Sequence, residues 1–340
     1  MTQWKQVTQF PLRTIFSRLM IRETGSVILI ALIAWLSYFI ALPLLLFPEF
    51  GALCNGAITR PQHIWARSPY HLAVAPALTG CLGVLALRLF GYGVLPVLLA
   101  LMASLLLLGC FRSPILPSLS SGLIPLVLHI PSWTYPLSVF LSCTILAIII
   151  YFRGQRLKIP RQDNQPFRLL NGGWPRNAYH LAVFLGFIAG ITLISEICHQ
   201  PIILFPPLAV LGFEILLHSG RHPWCRWPAL LPLIFFVCAG GGFVSLALFG
   251  DSVCGVIIAV TIAICVTFYR GLYIPPAIAV SLLPFVMQHV GFTFPFDIAF
   301  SVAALVIVAI AREWLDKQIT RASLGRAYFP LTRSRNSSSS

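Results

Sequence analysis

Trp65-Ala66-Arg67-Ser68-Pro69 returns 159 residues later as Trp224-Cys225-Arg226-Trp227-Pro228. Other segments return with it. Leu46-Phe47-Pro48 recurs as Leu204-Phe205-Pro206, Leu89-Phe90-Gly91 as Leu248-Phe249-Gly250, and Phe111-Arg112 as Tyr269-Arg270. Pro117 matches Pro276, Pro125 matches Pro284, and Thr134-x-Pro136 matches Thr293-x-Pro295. The offset stays at 158 or 159 across the whole half, which chance identities would not do. The pentapeptide Tyr70-His71-Leu72-Ala73-Val74 also recurs, at Tyr179-His180-Leu181-Ala182-Val183, but its offset of 109 breaks that register. It is read as a coincidence of two apolar helix starts. A duplicated, very apolar chain is the usual build of a transporter whose site lies where the halves meet.

Composition places the chain in a membrane. Of 340 residues, 58% are hydrophobic and 9% charged, with a mean hydropathy of +0.88. Soluble domains carry about 25% charged residues. The first apolar run begins near Ser26 and lacks a small-residue cleavage site, so it is expected to be a first span and not a signal peptide. The net charge of +14 does not point to nucleic acid, because of where it sits. Sixteen of the 23 Lys and Arg fall in residues 1–25, 152–178 and 312–340. Basic residues in short flanks mark the cytoplasmic side and suit anionic lipid headgroups. Both termini and the linker are therefore expected in the cytoplasm, with a bacterial inner membrane as the expected location. The nine cysteines form no CxxC pair and read as small buried hydrophobes.

Four runs per half are long enough to span: 26–46, 70–91, 93–111 and 134–151, then 180–200, 228–250, 252–269 and 293–311. Between them lie shorter, Pro-punctuated pieces at 48–58 and 114–128, then 206–217 and 274–287. These read as re-entrant half-helices or as Pro-kinked spans. Either reading gives each half an even number of crossings, which makes the halves parallel. The expected fold is all-α: a polytopic transmembrane helical bundle built from two tandem parallel repeats with short Pro-broken or re-entrant helices. Its divisions are a basic arm 1–25, a first repeat 26–152, a basic linker 153–178, a second repeat 179–311, and a basic, Ser-rich tail 312–340 expected to be disordered. Arg60, Arg67, Arg112, Arg221, Arg226 and Arg270 then share the cytoplasmic side, with Arg88 the exception, while Glu196, Asp251 and Asp297 lie opposite.

The strongest site candidate is a pair of Arg-then-Pro segments. Arg112 precedes Pro117, Ser118 and Ser120; Arg270 precedes Pro275, Pro276 and Ser281. Proline suits the first turn of a helix, whose free N–H groups carry partial positive charge. A guanidinium and hydroxyls beside such a turn would make a small anion site. The competing reading makes Arg112 and Arg270 end anchors that snorkel to headgroups. Arg67 and Arg226, each beside a tryptophan, read as interface markers or as a basic vestibule that gathers anions. Glu49 and Glu214 lie within apolar pieces, where an acid is a suspect for coupling. Histidines at metal spacing are limited to the loop pair His218 and His222, so no metal is expected, and no cofactor. Catalytic motifs are absent, so an enzyme is not expected.

Tyr269-Arg270-Gly271-Leu272-Tyr273-Ile274-Pro275-Pro276-Ala277, followed by Leu282-Leu283-Pro284, resembles the signature region of the HPP family of integral membrane proteins. Phe205-Pro206-Pro207, the basic loop 221–228 and Gly240-Gly241-Gly242 are similar too. The resemblance covers about residues 200–311 and implies nitrite transport. Ile274 stands where the family has its histidine, and the first half has Leu116-Pro117-Ser118 there. Many HPP proteins carry one such domain, so two in one chain would be a fused dimer. The expected partners are membrane lipids and a small inorganic anion, with no nucleic acid and with homo-oligomerisation left open. The alternative is a non-transporting scaffold or assembly factor that works through its basic flanks.

Overall fold

The computed structural model describes residues 12–159, 174–217, 228–269, 273–287 and 289–327, with side chains described for 21–159, 178–217, 228–268, 273–287 and 289–318. Among them there are helices and no strand. The first half holds α1 (Leu12–Phe39), α2 (Pro48–Thr59), α3 (Ile64–Arg67), α4 (Pro69–Phe90), α5 (Val94–Cys110), α6 (Ser118–Val127) and α7 (Thr134–Arg156). The second holds α8 (Trp174–Ile197), α9 (Pro207–Leu217), α10 (Leu230–Phe249), α11 (Val253–Tyr269), α12 (Pro275–Leu282) and α13 (Phe294–Ala327).

Among the described residues six helices are long and apolar enough to cross a membrane: α4, α7, α10, and the segments Ile21–Phe39, Ala178–Ile197 and Phe294–Gln318 of α1, α8 and α13. Helices α5 and α11, read from the sequence as full spans, have 17 residues each. At 1.5 Å per residue they reach about 25 Å, a little less than the hydrocarbon core. The outward faces carry Ile28, Leu89, Leu106, Leu248, Phe296 and Ile307, all more than half exposed. Such a surface suits lipid and not water, and the six long apolar helices are consistent with a multi-pass membrane protein.

Three sequence expectations are corrected. The run 26–46 is not one helix, because α1 stops at Phe39, Ala41 takes φ +52° and a 3₁₀ turn follows at Pro43–Leu45. Ser37 donates to the Leu42 carbonyl (2.8 Å) and closes the break. The run 180–200 breaks likewise: α8 ends at Ile197, His199 takes φ +53°, and Ser195 donates to the Gln200 carbonyl (3.0 Å). Proline at 43 and at 201 cannot continue either helix. The tail is not irregular from residue 312, since α13 continues to Ala327.

Contacts orient the bundle. Arg22 of α1 donates to the Thr59 carbonyl at the end of α2, and Arg153 near the end of α7 donates to the Ala57 and Ile58 carbonyls. The start of α1 and the ends of α2 and α7 thus share one face, here the proximal face. Tyr38, near the end of α1, donates to Asp251 just before α11 on the distal face. Glu196, near the end of α8, accepts from the Val94 N–H at the start of α5 (3.1 Å). Because α4 runs from the proximal to the distal face, α5 starts distally and α8 ends there. His180, early in α8, lies 3.5 Å from Asp316 of α13, so α8 begins and α13 continues proximally.

The short helices occupy the middle. Helix α2 packs against α12, and α6 against α9. Two glycine contacts set the closest approaches. A Cβ built on Gly83 of α4 would lie 2.1 Å from the Gly122 carbonyl oxygen of α6. A Cβ built on Gly242 of α10 would lie 2.2 Å from the Ser281 carbonyl oxygen of α12. Small residues let membrane helices meet backbone to backbone where lipid gives no hydrophobic drive.

Candidate functional site

Pro48 opens α2 after Phe47 in an extended conformation, so the helix begins inside the bundle and Glu49 lies in its first turn. Glu49 is 1% exposed, and neither carboxyl oxygen has a hydrogen-bond partner among the described residues. The Ser120 side chain of α6 faces it. Ser118 and Ser120 are fully buried, and their hydroxyls also lack partners among the described residues. Tyr135 and Cys143 of α7 lie within electrostatic range of Glu49. The Tyr135 hydroxyl donates to the Ser121 carbonyl (2.9 Å) and pairs with the Ser121 hydroxyl (3.0 Å), so it is already engaged. Buried acids in membrane proteins are normally paired, and leaving polar groups unsatisfied in the interior costs free energy.

Two of the residues singled out in the sequence therefore meet: Glu49 and Ser120. Arg112 does not join them. It sits after α5 with φ +51° and is exposed, its N–H bonded to the Gly109 carbonyl (3.1 Å). Pro117 precedes the first turn of α6 and is buried. Several of the N–H donors expected to be free at these helix starts are bonded locally. Ser118 N–H donates to Ile115 (3.1 Å) and Leu119 N–H to Leu116 (2.9 Å). Pro275 and Pro276 have no N–H, and Ala277 N–H donates to Ile274 (3.0 Å). The segments before these helices fold back as turns that satisfy the donors locally. Ser281 is buried and donates to the Ile278 carbonyl (2.9 Å). Arg270, Arg226 and the His218–His222 pair lie outside the described residues.

Glu214 occupies a different environment from Glu49. It is half-buried near the proximal end of α9 and acts electrostatically on Tyr273, as do Arg60 and Glu23. Here the halves meet through polar contacts. The Arg60 guanidinium lies 3.6 Å from the Tyr273 ring centroid across the two halves, and within the first half Asn55 donates to Glu23 (2.5 Å). Burial pushes the Tyr273 phenol well above its ordinary range. Beside it, burial and then the Arg60 charge push the His63 imidazole down to about 4. Its Nδ1 accepts the Trp65 N–H (3.4 Å), which only an unprotonated nitrogen can do.

Arg67 reaches a proximal pocket of about 240 Å³ between α3, the start of α4 and the end of α7. Gln155 and Lys158 share its lining with Ile150 and Tyr151. Two cations on one concave wall attract small anions. A second, distal pocket of about 160 Å³ lies between the halves and is lined by Val127, Gln200, His289, Thr293 and Asp297.

Sequence reasoning overlooked Arg153 and Arg312, treating them as flank charges. Arg153 donates to the Ala57 (2.5 Å) and Ile58 (2.8 Å) carbonyls at the end of α2, and Arg312, 2% exposed, donates to Leu216 at the end of α9. They neutralise the negative ends of the short helices and satisfy carbonyls that have no next turn. Their common offset of 159 was a readable signal. No three His, Cys, Asp or Glu among the described residues are grouped to hold a metal ion. No family model matches the chain, and neither does a curated protein or a solved structure.

Proposed function

We propose that the chain is a membrane transporter for a small inorganic anion, built from two tandem parallel repeats that rock against each other. The observation that carries this reading is the crosswise packing of the interrupted helices, α2 on α12 and α6 on α9, in the middle of the bundle. Helices broken at membrane depth are tolerated where they serve a site or pathway, and transporters place that site between repeats. The repeat is supported by contacts that recur at the sequence offset. Gly83–Gly122 corresponds to Gly242–Ser281, Arg153 to Arg312, and the Ser37–Leu42 break to the Ser195–Gln200 break. Starts and ends on one face give each half an even number of crossings, which suits parallel halves.

In this reading the proximal face is cytoplasmic, in a bacterial inner membrane, because the described basic residues Arg22, Arg153, Lys158 and Arg312 gather there. Arg67 and Lys158 gather the anion at the proximal pocket, with Arg112, Arg226 and Arg270 adding to the positive field. The resemblance to HPP proteins makes nitrite the first cargo to test. Nitrite, nitrate, formate, bicarbonate and chloride are to be screened in proteoliposomes with and without a pH gradient. Saturable flux of one anion, with its KM raised in the Arg67→Gln, Lys158→Gln variant, is the expected outcome. Absence of flux for all five, from folded and inserted protein, would overturn the transport reading in favour of a scaffold.

A further inference from the structure

We infer that Glu49 is a proton-binding site, one per chain, present in the first half only, with Ser120 as the hydroxyl that receives its charged form. The inference deepens the transport reading by assigning the coupling ion to a single side chain.

Geometry supports the assignment. Glu49 is wholly enclosed, and no cation among the described residues acts on it. The groups facing it are Ser120 from α6 and Tyr135 and Cys143 from α7, none of them positively charged at neutral pH. From α12, Ile278 and Leu282 press on the neighbouring Gly51. The charged groups on the packed elements, Arg22 and Glu23 of α1 and Arg153 of α7, engage Thr59, Asn55, Ala57 and Ile58. Those residues lie six to ten positions further along α2, about 9–15 Å away. An isolated carboxylate in such a place costs several kcal/mol, so this packing accommodates the neutral acid. The Ser120 hydroxyl faces the carboxyl and has no other partner among the described residues, so it is available to donate to the charged form.

The step is simple. The carboxyl O–H bond breaks when the site opens to water on one side, and the proton leaves to that water. The carboxylate then accepts from the Ser120 hydroxyl and benefits from the positive end of α2. Protonation from the other side restores the closed packing.

The second half cannot do this. At the repeat offset Glu49 corresponds to Pro207, Ser118 to Ala277, Ser120 to Ala279, Tyr135 to Phe294 and Cys143 to Val302. All five are buried, and none can exchange a proton or donate a side-chain hydrogen bond.

Two measurements test the inference. The first needs no cargo: labelling of purified protein with N,N′-dicyclohexylcarbodiimide, an apolar reagent for protonated carboxyls, read by peptide mass spectrometry. Labelling of Glu49 should fall along a single-proton curve as the pH rises from about 5 to about 9, and Ser120→Ala should move the midpoint upward. Absence of labelling at every pH, a rate that does not change with pH, or a midpoint unmoved by the serine change overturns it. The second is flux. Glu49→Gln should abolish uptake driven by a pH gradient yet keep anion exchange, which also shows that the variant is folded. Equal gradient-driven uptake in Glu49→Gln overturns the inference and leaves the transport reading standing, whereas a pH-dependent label without flux in the unaltered protein does the reverse.

Discussion

Gly240 and Gly242 are two residues apart on α10, and alanine should act on them with opposite sign. Nothing lies within 4 Å of a Cβ built on Gly240. Gly240→Ala therefore only removes a flexible residue from a helix interior, a gain of about 0.5–1 kcal/mol. A Cβ on Gly242 would stand 2.2 Å from the Ser281 carbonyl oxygen and 3.0 Å from its carbon. A comfortable C···O contact is about 3.3 Å, so α10 and α12 must part by about 1 Å. Parting by that much forfeits a quarter to a half of the dispersion between the atoms at the contact. Overpacking of this kind costs about 1–3 kcal/mol, against the same propensity gain. The two variants should thus differ by about 2 kcal/mol, read as several degrees in the apparent Tm of the detergent-solubilised protein. Gly83→Ala should behave like Gly242→Ala, and Gly109→Ala, with nothing within 4 Å, like Gly240→Ala. Equal stability of Gly240→Ala and Gly242→Ala would refute the close approach of α10 and α12.

Arg153→Gln should lower stability by about 2–3 kcal/mol, because two carbonyls at the end of α2 lose charged donors, and Arg153→Lys should cost less. Arg312→Gln should act alike at the end of α9, and thermal inactivation of both checks it. For His63 the folded pKa, about 4, lies below the unfolded value of about 6.5. Its contribution is complete above about 6.5 and is lost as pH falls toward 4, since only the unfolded chain then takes up the proton. Fluorescence of a variant with Trp65 as the single tryptophan should report loosening in that window, and His63→Gln should remove the dependence. If the halves rock, bridging Tyr38→Cys and Asp251→Cys with a bis-maleimide in an otherwise cysteine-free chain should block flux, while either change alone should not.

Much of the fold was legible in the sequence. The apolar runs and the paired prolines placed α2, α4, α6, α9, α10 and α12 within a few residues of their observed bounds, since a span needs length and apolarity and proline stops a helix wherever it stands. The break at Pro43 was missed because the apolar run 26–46 continues through it, and hydropathy does not register a turn. Part of the site was legible too. Glu49 and Ser120 were both singled out, but Ser120 as part of an anion site with Arg112 and Glu49 as a separate coupling acid.

The sequence by itself determined the membrane class, the helical content and the offset of 159, because each follows from local composition or from comparing the chain with itself. Only the tertiary structure decided that Glu49 meets Ser120 across 71 residues, that Arg153 and Arg312 end the short helices, and that Arg112 stands outside. The reason is physical. Spacing along a helix says which residues share a face, but which faces meet depends on how closely backbones can approach. Here Gly83 against Gly122 and Gly242 against Ser281 set that approach and bring α6 and α12 into the middle of the bundle.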